Sequence, residues 1–294
     1  MNDFKIATTE TYDPSLCIKS WIGHVKEYNF VLYITKVLNP DVIKLLTDSQ
    51  SPMGYMNMPS VVHLTVTGWG GTFLEPNVVE PEVMKDKAAQ LIAAGYPVDR
   101  IVWRVDPIVP ITEGIERFER AVRLGRSLKI TRFRSSVMQC YKHSYERLKE
   151  TPIIEEIDAI YKGNFWPDKD MMFDIYCHIK DFKNQIIADD CNVSFEACAT
   201  SQLTSIAGFK DFGCMDMVDL IVNNIDPNFT GSHGQSMQRA GCHCLLKHQL
   251  IPGGYKRGRC PNKCLYCYLK DANPNEQETK TLFYLCQQHS LKSN

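Results

Sequence analysis

The sequence lacks several patterns that would assign it at once to a class of protein. It has no charged stretch followed by an apolar run near its first residue, and no apolar run of membrane-spanning length. We therefore expect neither a secretory signal nor a membrane span. No G-x-G-x-x-G follows the first strand-like segment, so a dinucleotide-binding fold has no support. The 8 histidines form no H-x-x-H or H-E-x-x-H pair, which disfavours a zinc hydrolase.

The chain also lacks a strong excess of charge of either sign. Its 294 residues include 33 Lys and Arg against 34 Asp and Glu, a formal net charge of −1. No global field therefore indicates nucleic acid, although a local basic patch still can. Internal repeats and low-complexity segments are missing too. The composition is that of an ordinary globular protein, and the expected location is the cytoplasm.

Cysteine, by contrast, is abundant and clustered. Five of the 12 cysteines lie between Cys242 and Cys267. Without secretion, so many cysteines indicate metal ligands, reactive thiols or core residues rather than disulfides. The segment CPNKCLYCYLKD contains Cys260, Cys264 and Cys267 at C-x3-C-x2-C spacing. Structural zinc sites usually use two separate C-x2-4-C pairs, whereas one such triple can hold three irons of a [4Fe-4S] cluster and leave the fourth open.

This loop, with Tyr266 before its third cysteine, resembles the cluster loop of the radical S-adenosylmethionine superfamily, and that of spore photoproduct lyase in particular. VVHLTVTGWGGTFLEPNV, IVWRVDPI and GCHC resemble a bacterial family of radical-SAM-like proteins that also carry their cysteines near the C-terminus. The resemblance implies that Cys260, Cys264 and Cys267 bind a [4Fe-4S] cluster, whose open iron binds S-adenosyl-L-methionine. A reductant such as flavodoxin or ferredoxin would supply the electron that generates a 5′-deoxyadenosyl radical. Tyr266 would pack near the adenine, although simple packing on the loop explains it equally.

Two features depart from the superfamily pattern. The cluster loop usually follows the first strand, whereas at least five strand-like segments precede it here. Either a C-terminal segment folds over the mouth of a barrel, or the barrel is permuted. A G-G-E-type motif for the methionine amino group is also missing after the second strand.

The chain alternates strand-like and helical patterns. Strand-like segments begin near Phe4, Phe30, Val61, Ile101, Leu128 and Cys191. This alternation predicts an α/β fold, a partial or complete β/α barrel of about six parallel strands, with an open doubly wound sheet as the alternative. We expect residues 1–230 to form the barrel. Residues 231–294 would form a cluster-binding segment and a closing helix packed on it.

Polar residues at the carboxyl ends of the strands are candidates for the site, because barrels collect their active residues there. They are Lys36, Thr67, Arg104, Asp106 and Glu196. Arg104 could bind the methionine carboxylate through a bidentate fork, and Asp106 or Glu196 could hold ribose hydroxyls or the amino group. An ion pair within the protein is the alternative for each.

Several further residues have open roles. Cys198 is a candidate hydrogen-atom donor beside Glu196, and Cys140 is a weaker one, with buried inert thiols as the alternative. Cys242 and Cys244 could bind a second metal, lend a ligand, act in redox chemistry or pack as apolar groups. His63 alternates within an apolar strand and is expected to be a core histidine.

Basic and aromatic side chains surround the cysteine triple, as is typical of sites for phosphates and stacked bases. They are Lys256, Arg257, Arg259, Lys263 and Lys270 with Tyr255, Tyr266 and Tyr268, and Arg132 and Arg134 add to them. A solvated charged loop is the alternative. Together with the resemblance, the pattern favours thymine or a modified thymidine in DNA as substrate, for an isomerase of phage DNA hypermodification or a photoproduct-type lyase. A zinc-stabilised, non-catalytic nucleic-acid-binding protein and an iron–sulfur electron carrier are the alternatives from other classes.

Overall fold

The computed structural model describes most of the chain up to residue 226 and three short segments beyond it. The described residues are 4–10, 13, 15, 18–226, 244–245, 248–249 and 260–269. The predicted closing helix and the basic residues 256–259 lie outside them. Within the described residues, no helix is both long and apolar enough to cross a membrane.

Strands and helices alternate along the described chain. The strands are β1 (Ile6–Thr8), β2 (Phe30–Thr35), β3 (Ser60–Thr65), β4 (Ile101–Arg104), β5 (Arg132–Ser135), β6 (Ser194–Ala197), β7 (Lys210–Asp211) and β8 (His248–Gln249). The α-helices are α1 (Ile18–His24), α2 (Pro40–Thr47), α3 (Pro81–Ala93), α4 (Thr112–Ser127), α5 (Lys142–Leu148), α6 (Ile154–Tyr161), α7 (Lys169–Asp189), α8 (Ser201–Ser205) and α9 (Met217–Ile221).

All eight strands are parallel, and each lies beside its neighbour in sequence, with β8 returning beside β1. This is the strand order of a β/α barrel, whereas a doubly wound sheet reverses its order at a switch point. Among the described residues β7 and β8 share no ladder, so the sheet is open between them. The predicted α/β fold with a parallel, barrel-ordered sheet is confirmed, and all six predicted strands are present. The two-residue strands β7 and β8 were not predicted.

Capping side chains set several helix starts. Asn39 accepts a backbone N–H bond of 2.8 Å in the first turn of α2, and Asp168 caps α7 in the same way. Asp13 is not the cap of α1, which begins at Ile18. The carboxylate of Asp13 instead accepts a bond of 2.9 Å from the backbone N–H of Lys36, at the end of β2. Asp13 therefore belongs to the carboxyl edge of the sheet.

The outer face of the sheet packs against the helices through large side chains. The indole N–H of Trp103 on β4 donates to the carbonyl of Ala121 on α4 at 2.8 Å. A Cβ on Gly125 would lie 2.8 Å from Cγ of Trp103 and 2.9 Å from Cε1 of Phe133. Gly125 lies inside α4, which continues to Ser127. Glycine is needed at this position so that the helix can approach the sheet closely.

One layer of side chains on the inner face of the sheet is apolar. Its apolar cluster contains Ile6, Phe30, Leu32, Ile34, Val61, Val102, Met215, Leu220 and Leu245. Each strand member alternates with residues that face the helices, as the two-residue period of a strand requires. Residues from the segments around β7 and β8 therefore help to fill the interior.

The rest of the inner face carries a buried network of charges. Arg134 Nε donates to Glu196 Oε2 at 2.8 Å, and Arg132 Nη2 donates to Asp219 Oδ1 at 2.6 Å. His63 Nε2 lies 3.4 Å from Arg134 Nη1 within the same buried layer, as expected for a core histidine. Arg132 and Arg134 were predicted to join a basic nucleic-acid surface. That prediction is wrong, because both guanidinium groups are buried and ion-paired inside the sheet.

The domain boundary near residue 230 stays a prediction. Two observations bear on the C-terminal segment itself. The strand β8 pairs in parallel with β1, through Ala7 opposite His248. Residues 260–269 lie against the loop that follows β3, where Leu265 and Pro261 are hydrogen-bonded to Leu74 and Asn77. This segment thus both contributes to the sheet and covers part of its edge.

Candidate functional site

A cavity of about 380 Å³ opens at the carboxyl ends of the central strands. One wall comes from strand ends and the residues after them, including Glu10, Lys36, Arg104 and Asp106. The opposite wall is the segment 260–269. This volume is within the range of small-molecule and cofactor sites, and the carboxyl edge is where barrels place them.

Hydrogen bonds fix the segment 260–269, hereafter the cysteine loop, over the sheet. The backbone N–H of Leu265 donates to the carbonyl of Leu74 at 3.0 Å. The side-chain amide of Asn77 donates to the carbonyl of Pro261 at 2.6 Å. Arg147 on α5 donates to the carbonyl of Cys267 at 2.6 Å. The loop thus docks between the segment after β3 and helix α5.

All three cysteines of the loop, Cys260, Cys264 and Cys267, line the cavity. Among the described residues, one group of three potential ligands has all its ligand atoms within 4.8 Å of one another, and it is not this triple. Because a [4Fe-4S] cluster binds each thiolate through a different iron, its ligands lie farther apart than ligands that share one ion. The three thiols of the loop therefore line the cavity without converging within 4.8 Å, an arrangement compatible with ligands of a metal centre.

Burial affects the protonation of this triple. It raises the pKa of Cys260 to about 11. It also raises the pKa of Cys264, against the opposing effect of the Lys36 ammonium. The thiolate form that binds metal therefore needs positive charge beside it, and a bound metal supplies that charge.

A buried carboxylate, Glu75, connects the strand ends to the cysteine loop. It accepts a hydrogen bond of 2.8 Å from the hydroxyl of Thr67, and it also accepts from Lys36 Nζ and from the phenol of Tyr266. Lys36 Nζ and the Tyr266 oxygen are 2.8 Å apart, so three predicted site residues meet at this carboxylate. Glu75 lies in the quoted segment VVHLTVTGWGGTFLEPNV, but no role could be predicted for it because its partners are distant in sequence.

The same contacts set the protonation of these groups. Burial lowers the pKa of Lys36, but the Glu75 carboxylate and the Cys264 sulfur together raise it, and the net shift is upward. Burial raises the pKa of Tyr266, and Glu75 raises it further. The ammonium and the neutral phenol are therefore the stable forms, and both can donate to Glu75.

Arg104 and Asp106 form a second polar group on the cavity wall. They are ion-paired, and the hydroxyl of Ser136 donates to Asp106. Arg104 Nη1 also lies 3.4 Å from Thr65 Oγ1. Both predicted residues therefore face the cavity as one preformed unit, with Asp106 holding the guanidinium in place.

Comparison with protein-family models shows a match, which covers both the sheet and the cysteine loop. A family model described as "Domain of unknown function (DUF1848)" matches residues 18–269, most of the chain. The chain belongs to the DUF1848 family. No curated protein and no solved structure matches it. The matched range ends with the cysteine loop, so it contains the whole cavity wall formed by that loop.

Three predicted residues of this DUF1848 chain do not belong to the cavity wall: Thr67, which donates to the buried Glu75, and Glu196 and Cys198. Glu196 is buried beneath the wall, and its two carboxylate oxygens accept from Arg132 and Arg134. Cys198 lies beside two other buried cysteines, Cys214 and Cys244. The catalytic roles predicted for Glu196 and Cys198 stay predictions, and these contacts give both residues other partners.

Two further cysteines, Cys140 and Cys244, also lie outside the cavity wall. Cys140 is buried after β5, where burial raises the pKa of its thiol to about 11, and it does not line the cavity. Cys244 joins Cys198 and Cys214, and sequence analysis did not connect these three. Cys242 lies outside the described residues.

Aromatic side chains form the mouth of the cavity in the DUF1848 chain. Tyr141 and Tyr268 line it, and Tyr268 remains 45% exposed. The ring of Phe165 meets that of Tyr141 edge to face at 4.8 Å, and Trp166 follows at 5.3 Å from Phe165. His143 Nε2 lies 2.8 Å from the carbonyl oxygen of Tyr268 and so ties the loop to this rim. Exposed rings beside a polar cavity offer stacking surfaces for planar ligands.

Proposed function

We propose that this protein is a radical S-adenosylmethionine enzyme whose [4Fe-4S] cluster is held by Cys260, Cys264 and Cys267. One observation carries the proposal. The C-x3-C-x2-C triple lines a cofactor-sized cavity at the carboxyl edge of a barrel-ordered sheet, opposite polar residues from the strand ends. When bound, the cluster and S-adenosylmethionine supply a 5′-deoxyadenosyl radical that abstracts hydrogen from a substrate.

The strand order supports this proposal despite the late position of the loop in the chain. The cysteine loop follows β8 along the chain, and β8 pairs with β1. If β8 is equated with the first strand of a standard barrel, because the cluster loop follows it, then β1 corresponds to the second strand. Glu10 directly follows β1 and lines the cavity. In a permuted barrel this is the position of the acidic motif that binds the methionine amino group, and we assign that role to Glu10.

Other residues of the cavity wall have complementary roles in the proposal. Arg104 binds the methionine carboxylate, for which its pairing with Asp106 preorients the guanidinium. The remaining acceptor capacity of Asp106 serves the ribose hydroxyls. Tyr266 is held by Glu75 and Lys36, so its ring has a fixed face for the adenine. The buried strand ends exclude water from the reacting centre.

The proposed substrate is a thymine-type base, in DNA or as a modified thymidine, and the reaction is an isomerisation or a photoproduct-type lysis. The rings of Tyr141 and Tyr268, which line the cavity, support a planar substrate, and Phe165 packs against Tyr141. The exposed Lys263 beside the rim suits a phosphate group. Flavodoxin or ferredoxin is the proposed electron donor.

Release of 5′-deoxyadenosine tests the proposal most simply. Anaerobic reconstitution should give about four irons and four sulfides per chain. Dithionite and S-adenosylmethionine should then release 5′-deoxyadenosine from wild type but not from Cys264→Ala. Cys177→Ser, a half-buried cysteine on α7, is the matched control and should behave as wild type. No release from fully reconstituted wild type rejects the proposal, and zinc in place of iron favours a non-catalytic nucleic-acid-binding protein.

Isotope transfer tests the substrate. Thymidine or a modified thymidine in DNA, deuterated at carbon positions, should pass deuterium to 5′-deoxyadenosine. Mass spectrometry of the digested nucleosides separates the two reactions, because an isomerase keeps the nucleoside mass and a lyase splits a dimer. Deuterium-free 5′-deoxyadenosine with every thymine substrate would contradict this assignment and leave the radical chemistry standing.

A further inference from the structure

The open seam between β7 and β8 is crossed by three cysteines. Cys198 directly follows β6, Cys214 follows β7, and Cys244 precedes β8. The backbone N–H of Leu245 also donates across the seam to the carbonyl of Met215 at 2.9 Å. The position at which a closed barrel would have a strand ladder is therefore occupied by a group of thiols.

These three thiols, hereafter the seam cysteines, are close together and buried. Their sulfur atoms all lie within 4.8 Å of one another, and each residue is 2% exposed. The Cys198 and Cys214 sulfurs are 3.1 Å apart. The backbone N–H of Cys214 donates to the sulfur of Cys244 at 3.0 Å. Backbone N–H donors to sulfur are characteristic of metal-bound thiolates, whose charge they stabilise.

The three sulfurs lie close enough to share a single soft ion, and the 3.1 Å between Cys198 and Cys214 would widen on binding. With Zn–S bonds of about 2.3 Å, two sulfurs of a tetrahedral zinc site lie about 3.8 Å apart. A disulfide needs about 2.05 Å and joins only two sulfurs, which leaves the third without a role. A [4Fe-4S] cluster would require more widely separated sulfurs, because each binds a different iron. Thiolate ligands select zinc over the harder divalent ions.

The surroundings hold the seam cysteines in place. A Cβ on Gly213 would lie 2.6 Å from Cα of Cys244, so the two segments are in direct backbone contact. Arg134 Nη1 donates to the carbonyl of Cys214 at 2.8 Å and connects the group to the buried charge network. Leu245 packs with Met215 in the interior cluster. The ligands thus belong to elements that are already packed together, as a structural metal site requires.

We propose that Cys198, Cys214 and Cys244 bind one Zn²⁺ ion that joins the end of β6, the segment after β7 and the segment before β8. The ion closes the barrel where the strand ladder is missing. It holds the chain that leads into the cysteine loop. The seam cysteines fill three of the four tetrahedral positions. This site is separate from the cysteine loop, and its role is structural.

The metal content of a loop-deficient protein tests the proposal. In full-length Cys260→Ala/Cys264→Ala/Cys267→Ala, grown with zinc, we expect about one zinc and no iron per chain by elemental analysis. Adding Cys214→Ser should reduce zinc at least fivefold. Adding Cys140→Ser instead, a buried cysteine outside both groups, should leave zinc unchanged. Zinc absent from the loop-deficient protein, zinc retained after Cys214→Ser, or iron in this site would each overturn the proposal.

Cobalt provides a readout that does not depend on removing a seam cysteine. One Co²⁺ per chain in the loop-deficient protein should give the intense visible d–d bands and thiolate charge-transfer bands of a tetrahedral thiolate site. Intact-mass analysis after thiol alkylation should find the seam cysteines reduced. Octahedral-type spectra, or a Cys198–Cys214 disulfide in protein purified under reducing conditions, would contradict a zinc site. Neither result depends on whether the wild type cleaves S-adenosylmethionine.

Discussion

The two cysteine groups of this protein differ in the distance between their sulfurs, in burial and in surroundings. The cysteine loop presents Cys260, Cys264 and Cys267 to a cavity, and their sulfurs do not converge on one point. The seam cysteines, such as Cys214, are fully buried and converge within 4.8 Å. The same ligand type is thus arranged once along an accessible cavity, which suits the proposed cluster, and once as a buried convergent group, which suits the proposed ion.

The ion pairs near the two cysteine groups also differ in their access to solvent and ligands. The cavity wall carries ion pairs that a ligand can reach, such as Arg104 with Asp106. The interior beneath it carries Arg134 with Glu196, which no solvent reaches. We therefore expect changes at the cavity to affect cofactor and substrate, and changes in the interior to affect stability.

The largest difference is expected between the two cysteine groups themselves. Cys264→Ala should lower reconstituted iron from about four to less than one per chain, because a cluster with two remaining thiolates is not retained. Cys198→Ser should keep the loop iron, since its sulfur belongs to the seam. Iron and sulfide analysis after anaerobic desalting measures both. Equal iron loss in the two variants would mean that the groups form one site.

The next largest effect should separate the buried charge network from the cavity ion pair. Glu196→Gln leaves Arg132 and Arg134 without their shared carboxylate and should lower the free energy of unfolding by about 3–5 kcal/mol. Asp106→Asn, at the cavity, should cost only about 1–3 kcal/mol. Urea unfolding of the apoprotein measures both. A larger loss in Asp106→Asn would reverse the assignment of stability to the interior.

A ring at the cavity mouth should matter for binding alone. Tyr268→Leu should weaken binding of thymidine-containing single-stranded DNA by about 1–3 kcal/mol, the usual contribution of one stacked base. Stability should not change, because this side chain is 45% exposed. Phe173→Leu, an exposed ring on α7 that does not line the cavity, is the matched control. Equal weakening in both variants, measured by fluorescence anisotropy, would remove the rim from the proposed substrate site.

The smallest expected effect is a pH dependence that arises from the interior. Burial raises the pKa of Asp219, but Arg132, Arg134 and a hydrogen bond from the backbone N–H of Asp216 together lower it, so its folded-state pKa lies below its unfolded value of 3.8. The resulting stabilisation is fully present above the unfolded pKa and is lost as pH falls through the folded pKa.

Urea titrations between pH 6 and the acid limit measure this dependence. As pH falls, the free energy of unfolding of wild type should decrease by up to about 1.4 kcal/mol per pH unit because of this one carboxylate. Asp219→Asn should lack that part of the slope. Asp86→Asn, an exposed carboxylate on α3, serves as the control and should keep the wild-type slope. Identical slopes in wild type and Asp219→Asn would contradict the cause given for the shift.

Local patterns in the sequence predicted most of the fold. The six long strands and the helices α3 to α7 have clear periodicity, turn residues or prolines at their ends, and all are present. Strands β7 and β8 have two residues each, too few for an alternation to be visible. The need for glycine at position 125 could not be predicted, because the contacts of Trp103 and Phe133 with it depend on tertiary packing.

The same limit applies to the two sites. The cysteine loop could be found because its ligands lie within eight consecutive residues. The seam cysteines are 16 and 30 residues apart along the chain, so only the strand order brings them together. Arg132 was assigned to a basic surface because its partner Asp219 is 87 residues away. Glu75 lies in an irregular loop, and its role follows only from contacts with Tyr266, 191 residues later.

Electron paramagnetic resonance of the reduced, anaerobically reconstituted wild type, with and without S-adenosylmethionine, tests the central claim most directly. If Cys260, Cys264 and Cys267 hold a [4Fe-4S] cluster with one open iron, the spectrum should be that of a reduced cluster, and S-adenosylmethionine should change it by binding that iron. An identical spectrum after saturation with S-adenosylmethionine, or a protein that contains zinc in place of iron in the cysteine loop, would contradict the account.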